Sequence, residues 1–450
     1  MITQIIKDSL KEKLKELGIN ALTDQISLER PANRDHGDWS SNIALVTAKN
    51  AGRQAKELAE EIVNSLADDL PDGVTEVTVA GPGFINFRIS AELSYEILLE
   101  VLEKESSYGS SDIGSGKQVN VEFVSANPTG PLHAGHARGA CYGDAIANLL
   151  EYVGYSVHRE FYMNDRGLQM VAFGRSLEAR KHNESPPEDG YGGEYVSDWA
   201  KEMPENLALE EIIAWGCEYA KNDQQDTLRQ LGIYFDTWFS EKSMIDNGEI
   251  GRVLANLAEK GMAYEKDGAT WLSSIEFGDD KDRVLIKSDG EYTYLTPDVA
   301  YHKNKFERSD WLINVWGADH HGYIARMKAA MQALGYDSDA LTVQVTQLVK
   351  LLRAGEEVKL SKRQGDIIEL RSIIEEIGAD ATRFMYLLQS VDSKQTFDLE
   401  LAASQAMDNP VYYVQMAHAR LCSIERNATE NGFNFEILSI DELSVLVHQR

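Results

Sequence analysis

The stretch VNVEFVSANPTGPLHAGHARGA, Val119 to Ala140, carries the change of pattern on which the fold turns. Val119, Val121 and Phe123 alternate as in a half-buried strand. A loop punctuated by Pro and Gly follows. Tyr142, Ile146, Leu149, Leu150 and Val153 then recur at helical spacing until Gly154, and YSVHREFY returns to strand character. Strand, loop, helix and strand within about 45 residues make a βαβ unit of a parallel sheet. Such sheets bind ligands beyond the C-terminal ends of their strands, in loops that lead into helix N-termini. His133, Gly135 and His136 fall in that position.

Three readings of the two histidines stand side by side. A zinc pair is disfavoured, because helical zinc motifs space their histidines i, i+4 with a glutamate between, and no Cys or third His follows closely. An ordinary capped helix start with incidental histidines is the second. In the third, Gly135 lets the backbone approach a phosphate, the helix N-terminus offers N–H groups, and two imidazoles donate to a phosphate as charge develops. KLSKRQG, Lys359 to Gly365, is a short basic run of the kind usually found solvated, yet its lysines can also neutralise a polyphosphate.

Two further strand-like runs lead into polar loops: WLINVW into GADHHG, and LTVQVTQLV into KLLRAGEEVKLSKRQGD. The expected fold is therefore α/β, a Rossmann-type doubly wound parallel sheet, over residues 112–370. Before it, residues 1–111 mix helical runs with the strand pair VTEVTVAGPGFINFRI, turning at Gly81-Pro82-Gly83, and read as a small α/β domain. The Ser- and Gly-rich segment 106–118 reads as the linker. From residue 371 to 450 the pattern is helical.

The bulk numbers set bounds. At 450 residues there is room for two or three domains, and 43% hydrophobic with 26% charged residues is a globular composition. No apolar run reaches transmembrane length, and MITQIIKDSLKEKLKELG reads as an amphipathic helix rather than a signal peptide. Three widely spaced cysteines give no disulfide framework or Cys-based zinc site. These features lead us to expect a cytoplasmic protein with no membrane partner. A net charge of −29 excludes a uniformly basic nucleic-acid binder but leaves a local basic patch open.

HAGH at 133–136 and KLSKR at 359–363 resemble the two signatures of class I aminoacyl-tRNA synthetases. VEFVSANPTGPLHAGHARGA, FYMNDRGLQM, FDTWFSE, DRVLIKSDGEYTYLTPDVAYH and WGADHHGY resemble the arginyl-tRNA synthetase family more narrowly. HGDWSSNIAL and AGPGFINFRI resemble that family's additional N-terminal tRNA-binding domain, and NPVYYVQMAHARLCSI the start of its helical anticodon-binding domain. The resemblance covers essentially the whole chain. It implies an arginine–tRNA ligase that activates L-arginine with ATP and Mg2+ and transfers it to the 3′ adenosine of tRNA(Arg), and we expect a monomer.

The resemblance also implies roles. His133, Gly135 and His136 would contact ATP around its α-phosphate, and Lys359 and Lys362 would stabilise the pyrophosphate leaving group. Ser125, Asn127 and His136 would line the α-amino and carboxylate end of the amino acid. Tyr294 and Asp298 match the family's arginine-recognition pair, and His320 stands where many relatives have glutamine.

Physical chemistry agrees. A guanidinium is planar and always charged, so its pocket wants a carboxylate in fork geometry. Tyr294 and Asp298 are four apart and share a face if helical. Other readings remain open: Asp298 as a helix N-cap after Thr296-Pro297, Tyr294 as a core aromatic, and His320 and His321 as packed or solvated. Glu122, a second candidate carboxylate, faces solvent or caps a neighbour in its plainer reading.

Leu360 and Arg363 depart from the lysine signature, and Arg166 has no account from sequence. The family continues well past the position corresponding to Arg450, so a truncated chain with impaired tRNA binding is expected. Two other functions remain in view: a synthetase-like non-catalytic binding protein, and another HxGH nucleotidyl-transfer enzyme.

Overall fold

A computed structural model describes residues 2–19, 25–67, 69–358 and 368–433. The chain divides into two compact units, Met1–Gly109 with the residues from Arg426 on, and Ser110–Glu425.

In the first unit, a three-stranded antiparallel sheet runs in the order Trp39–Ser41, Phe84–Ile89, Val74–Ala80. The helices Ile2–Glu16 and Ala55–Ala67 pack Ile6, Leu10, Leu14, Leu58, Ile62 and Leu66 against Ile85 and Phe87. The turn at Gly81-Pro82-Gly83 joins the two longer strands. A Cβ on Gly83, at φ +134°, would lie 2.9 Å from the Ala55 carbonyl oxygen, so only glycine fits there.

The second unit is built on five parallel strands, β1 (Gln118–Glu122), β2 (Ser156–Met163), β3 (Thr237–Ser240), β4 (Trp311–Gly317) and β5 (Leu341–Thr346). Their order is 3-2-1-4-5, which reverses direction between β1 and β4. A crevice opens at such a switch point, outside the carboxyl ends of the two strands, because their connections leave to opposite faces. The βαβ unit read from the sequence is β1, the helix α1 (Ala134–Tyr152) and β2.

Period-two alternation sends Val119, Val121, Phe123, Phe161, Ile313 and Val315 to the face covered by α1. The opposite face is covered by α4 (Leu295–Phe306) and α5 (Ile324–Ala333), with Leu312, Val299, Ala300, Met327 and Leu341 in that core. Between β2 and β3 stand the helices α2 (Leu168–Lys181) and α3 (Leu209–Gln230), around a core of Met170, Phe173, Leu177, Trp199 and Ile212.

Two local readings are corrected. First, α1 buries its small residues, Ala134, Ala137, Ala140, Cys141, Gly143 and Ala147, whereas Leu149 is 65% exposed. Close packing is the reason: a Cβ on Gly143 would lie 2.3 Å from Phe123 Cγ, so small residues make the closest approach while Tyr142, Ile146 and Leu150 pack only partly buried at its flanks. Second, LTVQVTQLV is two strands. Leu341–Thr346 belongs to the parallel sheet, and β6 (Val349–Arg353) joins a separate sheet with β7 (Glu356–Glu357) and β8 (Gln395–Asp398). Ala354 and Gly355, at φ 51° and 79°, close the two-residue hairpin between β6 and β7. Then α6 (Leu370–Ile377) and α7 (Ala379–Leu387) pack on the α1 side of the sheet through Leu370, Ile373, Met385 and Tyr386.

Candidate active site

The signature loop of the candidate site leaves from β1 at the switch point. Val124 and Ser125 take φ values of 68° and 42°, a left-handed turn that swings the signature loop off the sheet. Ser125 Oγ holds this turn by accepting the Tyr162 N–H at 3.1 Å and donating to Glu122 Oε1 at 3.0 Å. Farther along, Gln224 Nε2 donates to the carbonyls of Asn127 (3.1 Å) and Gly130 (2.9 Å), and the Tyr195 hydroxyl donates to that of Thr129 at 2.8 Å. Asn127 Nδ2 donates to Gln169 Oε1 at 2.7 Å. The helices between β2 and β3 thus grip the loop from one side.

His133 caps α1. Its Nδ1 accepts the Gly135 N–H at 3.1 Å, while His136 Nδ1 accepts the His133 N–H at 3.1 Å. With both Nδ1 atoms accepting, the neutral rings carry their protons on Nε2. The two rings lie 3.8 Å apart, centroid to centroid. A Cβ on Gly135 would come within 2.9 Å of the His133 ring, so glycine makes room for the imidazole itself.

The Ala134 N–H donates to the Ile368 carbonyl at 3.0 Å, and the Leu370 N–H to the Leu132 carbonyl at 2.8 Å. The chain emerging from the lysine-rich segment is therefore tied to the start of α1. Lys359 and Lys362 themselves lie outside the described residues. Arg138, one turn into α1 and 2% exposed, donates to the carbonyls of Gln347 (3.0 Å), Ser390 (2.7 Å) and Ser393 (2.8 Å). It joins the histidine-bearing helix to the loops that lead into β6 and β8.

The other end is a set of carboxylates. Asp298 lies in the first turn of α4, but it does not cap the helix; its Oδ2 accepts the Tyr323 hydroxyl at 2.7 Å. Burial, with the charges of Glu122 and Glu241 behind it, pushes its carboxyl from the usual 3.8 up to about 7, against the Tyr323 hydrogen bond and the Lys305 charge. No Lys or Arg among the described residues forms an ion pair with it. Glu241, 7% exposed, accepts the Tyr162 hydroxyl at 2.8 Å and lies 3.4 Å from Arg166 Nη1. That contact supplies the account of Arg166 that the sequence lacks: it partly offsets a buried carboxylate.

Glu122 is neither solvent-facing nor a cap. Its Oε2 lies 2.6 Å from the ammonium of Lys305, a lysine with no exposed surface. Lys305 also donates to Asn314 Oδ1 at 2.8 Å, Asn314 Nδ2 reaches His302 Nε2 at 2.7 Å, and His302 Nδ1 faces the Asp298 carbonyl at 2.8 Å. A ring nitrogen against a carbonyl must donate, so His302 is the Nδ1–H tautomer and its Nε2 accepts. Burial and the Lys305 charge hold its pKa well below the ordinary value, consistent with a neutral ring.

A continuous polar chain thus joins Asp298, His302, Asn314, Lys305, Glu122 and Ser125 at the switch point. Of the other residues singled out, Tyr294 stands at the N-cap of α4 and is 90% exposed, so it is no core aromatic. His320, in the turn after β4, is solvated and lies 3.6 Å from Asp319. Neither belongs to the buried chain. The sequence reading overlooked Lys305, His302, Tyr323 and Glu241. One signal for the first two was present: 298, 302 and 305 fall on one helical face.

Comparison with known proteins bears on the whole chain. A family model described as the arginyl tRNA synthetase N terminal domain matches residues 4–89, and one described as the catalytic domain of class I (R) tRNA synthetases matches residues 98–215 and 205–425. A protein of Bacillus licheniformis named arginine–tRNA ligase is 46% identical, over 97% of this chain and 82% of its own length. Its namesake from Bacillus subtilis is also 46% identical, over 96% and 82%.

Among solved structures, a putative arginyl-tRNA synthetase from Campylobacter jejuni is 37% identical with a TM-score of 0.69, covering 76% of this chain and 78% of that one. The arginyl-tRNA synthetase of Thermus thermophilus, at 21% identity, shares the fold with a TM-score of 0.75 over 98% of this chain and 84% of that one. Sequence motifs, strand order and relatives agree, and the chain belongs to the arginyl-tRNA synthetase family of class I synthetases.

Proposed function

We propose that this chain is an arginine–tRNA ligase that forms arginyl-adenylate and pyrophosphate from L-arginine and ATP, then esterifies the 3′ adenosine of tRNA(Arg), releasing AMP. The observation that carries the reading is Asp298: a buried carboxylate raised to about 7 beside two others, with no cation of its own among the described residues. A guanidinium supplies the missing charge and the fork of donors that such a carboxylate accepts.

The arginine carboxylate attacks the α-phosphorus of ATP, and pyrophosphate leaves. No side chain need act as a covalent nucleophile; positioning and charge stabilisation suffice. His133 and His136 contact ATP around its α-phosphate beside the N–H groups of the α1 N-terminus, and Gly135 keeps the approach open. Lys359 and Lys362 neutralise the leaving pyrophosphate. Ser125, Asn127 and His136 receive the α-amino and carboxylate end, while Tyr294, Asp298 and His320 receive the guanidinium. Among the described residues no three His, Cys, Asp or Glu side chains converge on a cation-sized site. That setting fits Mg2+ held chiefly by the phosphates of ATP and by water, where it neutralises phosphate charge.

Residues 1–111 serve as the additional tRNA-binding domain, 112–370 as the catalytic domain, and 371–450 as the connector and start of the anticodon-binding domain. No helix among the described residues is long and apolar enough to cross a membrane. We place the protein in the cytoplasm as a monomer. Charging of tRNA(Arg) with a panel of amino acids tests the function: arginine alone should be esterified, and charging with another amino acid, or none with arginine, overturns the reading.

A further inference from the structure

Lys305 has a role that the reaction does not by itself require. It sits on the buried face of α4, its ammonium 4.5 Å over the Tyr301 ring, and it spends its charge on Glu122 and Asn314. A buried ammonium is retained only when fully paired, and here the pairing reaches farther than its first partner. Glu122 uses its second oxygen to accept from Ser125, and Ser125 accepts the Tyr162 N–H. Between them lies Val124 at φ 68°. A β-branched residue in the left-handed region is strained and persists only where its surroundings over-determine it.

We propose that Lys305 is a positioning residue for the amino-acid end of the site: by anchoring the Glu122 carboxylate it locks the strained Val124–Ser125 turn, and so places Ser125 and the exit of the signature loop from the sheet. This rests on the arginine reading above. The nucleotide end of the same loop has separate anchors, in the Gln224 bond to the Gly130 carbonyl, the Tyr195 bond to the Thr129 carbonyl and the backbone bonds joining Leu132 and Ala134 to residues 368–370. Loss of the Lys305 anchor therefore acts on arginine and spares ATP.

The test compares wild type, Lys305→Met, Lys305→Arg and the double variant Glu122→Gln/Lys305→Met. Arginine Kd is read by calorimetry and the KM for ATP in aminoacylation. Lys305→Met should raise the arginine Kd about tenfold or more with the KM for ATP within about twofold, and Lys305→Arg should recover most of the loss. The double variant leaves no unpaired buried charge, so it folds even where the single variant does not, and it should show the same selective arginine defect.

Equal shifts in the arginine and ATP constants, or a wild-type arginine Kd in the double variant, overturn the positioning role. Wild-type protein that binds no arginine at all sinks the underlying reading instead, so the two failures are distinguishable.

Discussion

Arginine binding should release a proton, and Asp298 should be its source. In the ligand-free site the carboxyl titrates near 7 rather than 3.8, because it is buried beside Glu122 and Glu241. A guanidinium against it favours the ionised form and pulls that value down. At pH 6.5 about three-quarters of the ligand-free molecules carry the proton, and at pH 8 about a tenth, so binding releases those fractions. The apparent arginine Kd should accordingly be about tenfold weaker at pH 6 than at pH 8.

Calorimetry at pH 6.5 in two buffers of different ionisation heat counts the protons directly. Asp298→Asn cannot ionise: its arginine affinity should fall by about 3 kcal/mol, and what remains should lose this pH dependence. Stability moves the other way. A carboxyl whose folded value is raised stabilises the protein below its unfolded value and loses that contribution as pH rises through the folded one. In the arginine-free protein the loss between pH 4 and pH 8 amounts to at most about 4 kcal/mol. Asp298→Asn without arginine should therefore melt higher than wild type at pH 8. Absence of proton release at pH 6.5, or an unchanged pH slope in Asp298→Asn, refutes the assignment.

Other outcomes follow from the site's geometry. Gly135→Ala drives a methyl against the His133 ring, so turnover should fall about tenfold or more while the melting temperature barely moves, since alanine suits a helix start. Arg138→Met leaves buried carbonyls of Gln347, Ser390 and Ser393 without their donor, and should cost about 3 kcal/mol in denaturant unfolding. Lys362→Ala should lower turnover far more than arginine affinity; an unchanged rate removes that lysine from the mechanism. Arginine-dependent exchange of pyrophosphate into ATP should be absent until tRNA is added, and clear exchange without tRNA contradicts the dependence.

The βαβ unit was legible because Val119, Val121 and Phe123 alternate and because a glycine-bearing loop separates them from a helical period. Which residues form the centre of the buried face of α1 was not: periodicity weighs large apolar residues, and this helix makes its closest contact through Ala and Gly against Phe123, with Tyr142, Ile146 and Leu150 at the flanks. The break within LTVQVTQLV escaped for a related reason. The alternation of Leu341, Val343 and Val345 fails at Gln347, but apolar residues resume at Leu348, and only partner strands decide where one sheet ends.

At the site, the motif histidines and Asp298 could be named from sequence, whereas their electrostatic setting could not. Lys305 shares a helical face with Asp298 and His302, but a lysine on a helix ordinarily reads as solvated, and nothing local shows that it lies beneath Glu122. The left-handed Val124 runs against the preference of a β-branched residue, and no local pattern announces it. Arg166 became intelligible only once folding brought Glu241 beside it, since the two lie on the loop after β2 and at the end of β3.

The buried carboxylate of Asp298 makes this chain's amino-acid site an arginine site. Charging of tRNA(Arg) by wild type and Asp298→Asn, each offered arginine and its uncharged isostere citrulline, tests it most directly. Wild type should charge arginine alone, and the variant should lose that charging by a factor of about a hundred, the equivalent of roughly 3 kcal/mol. Undiminished charging of arginine by Asp298→Asn would contradict it.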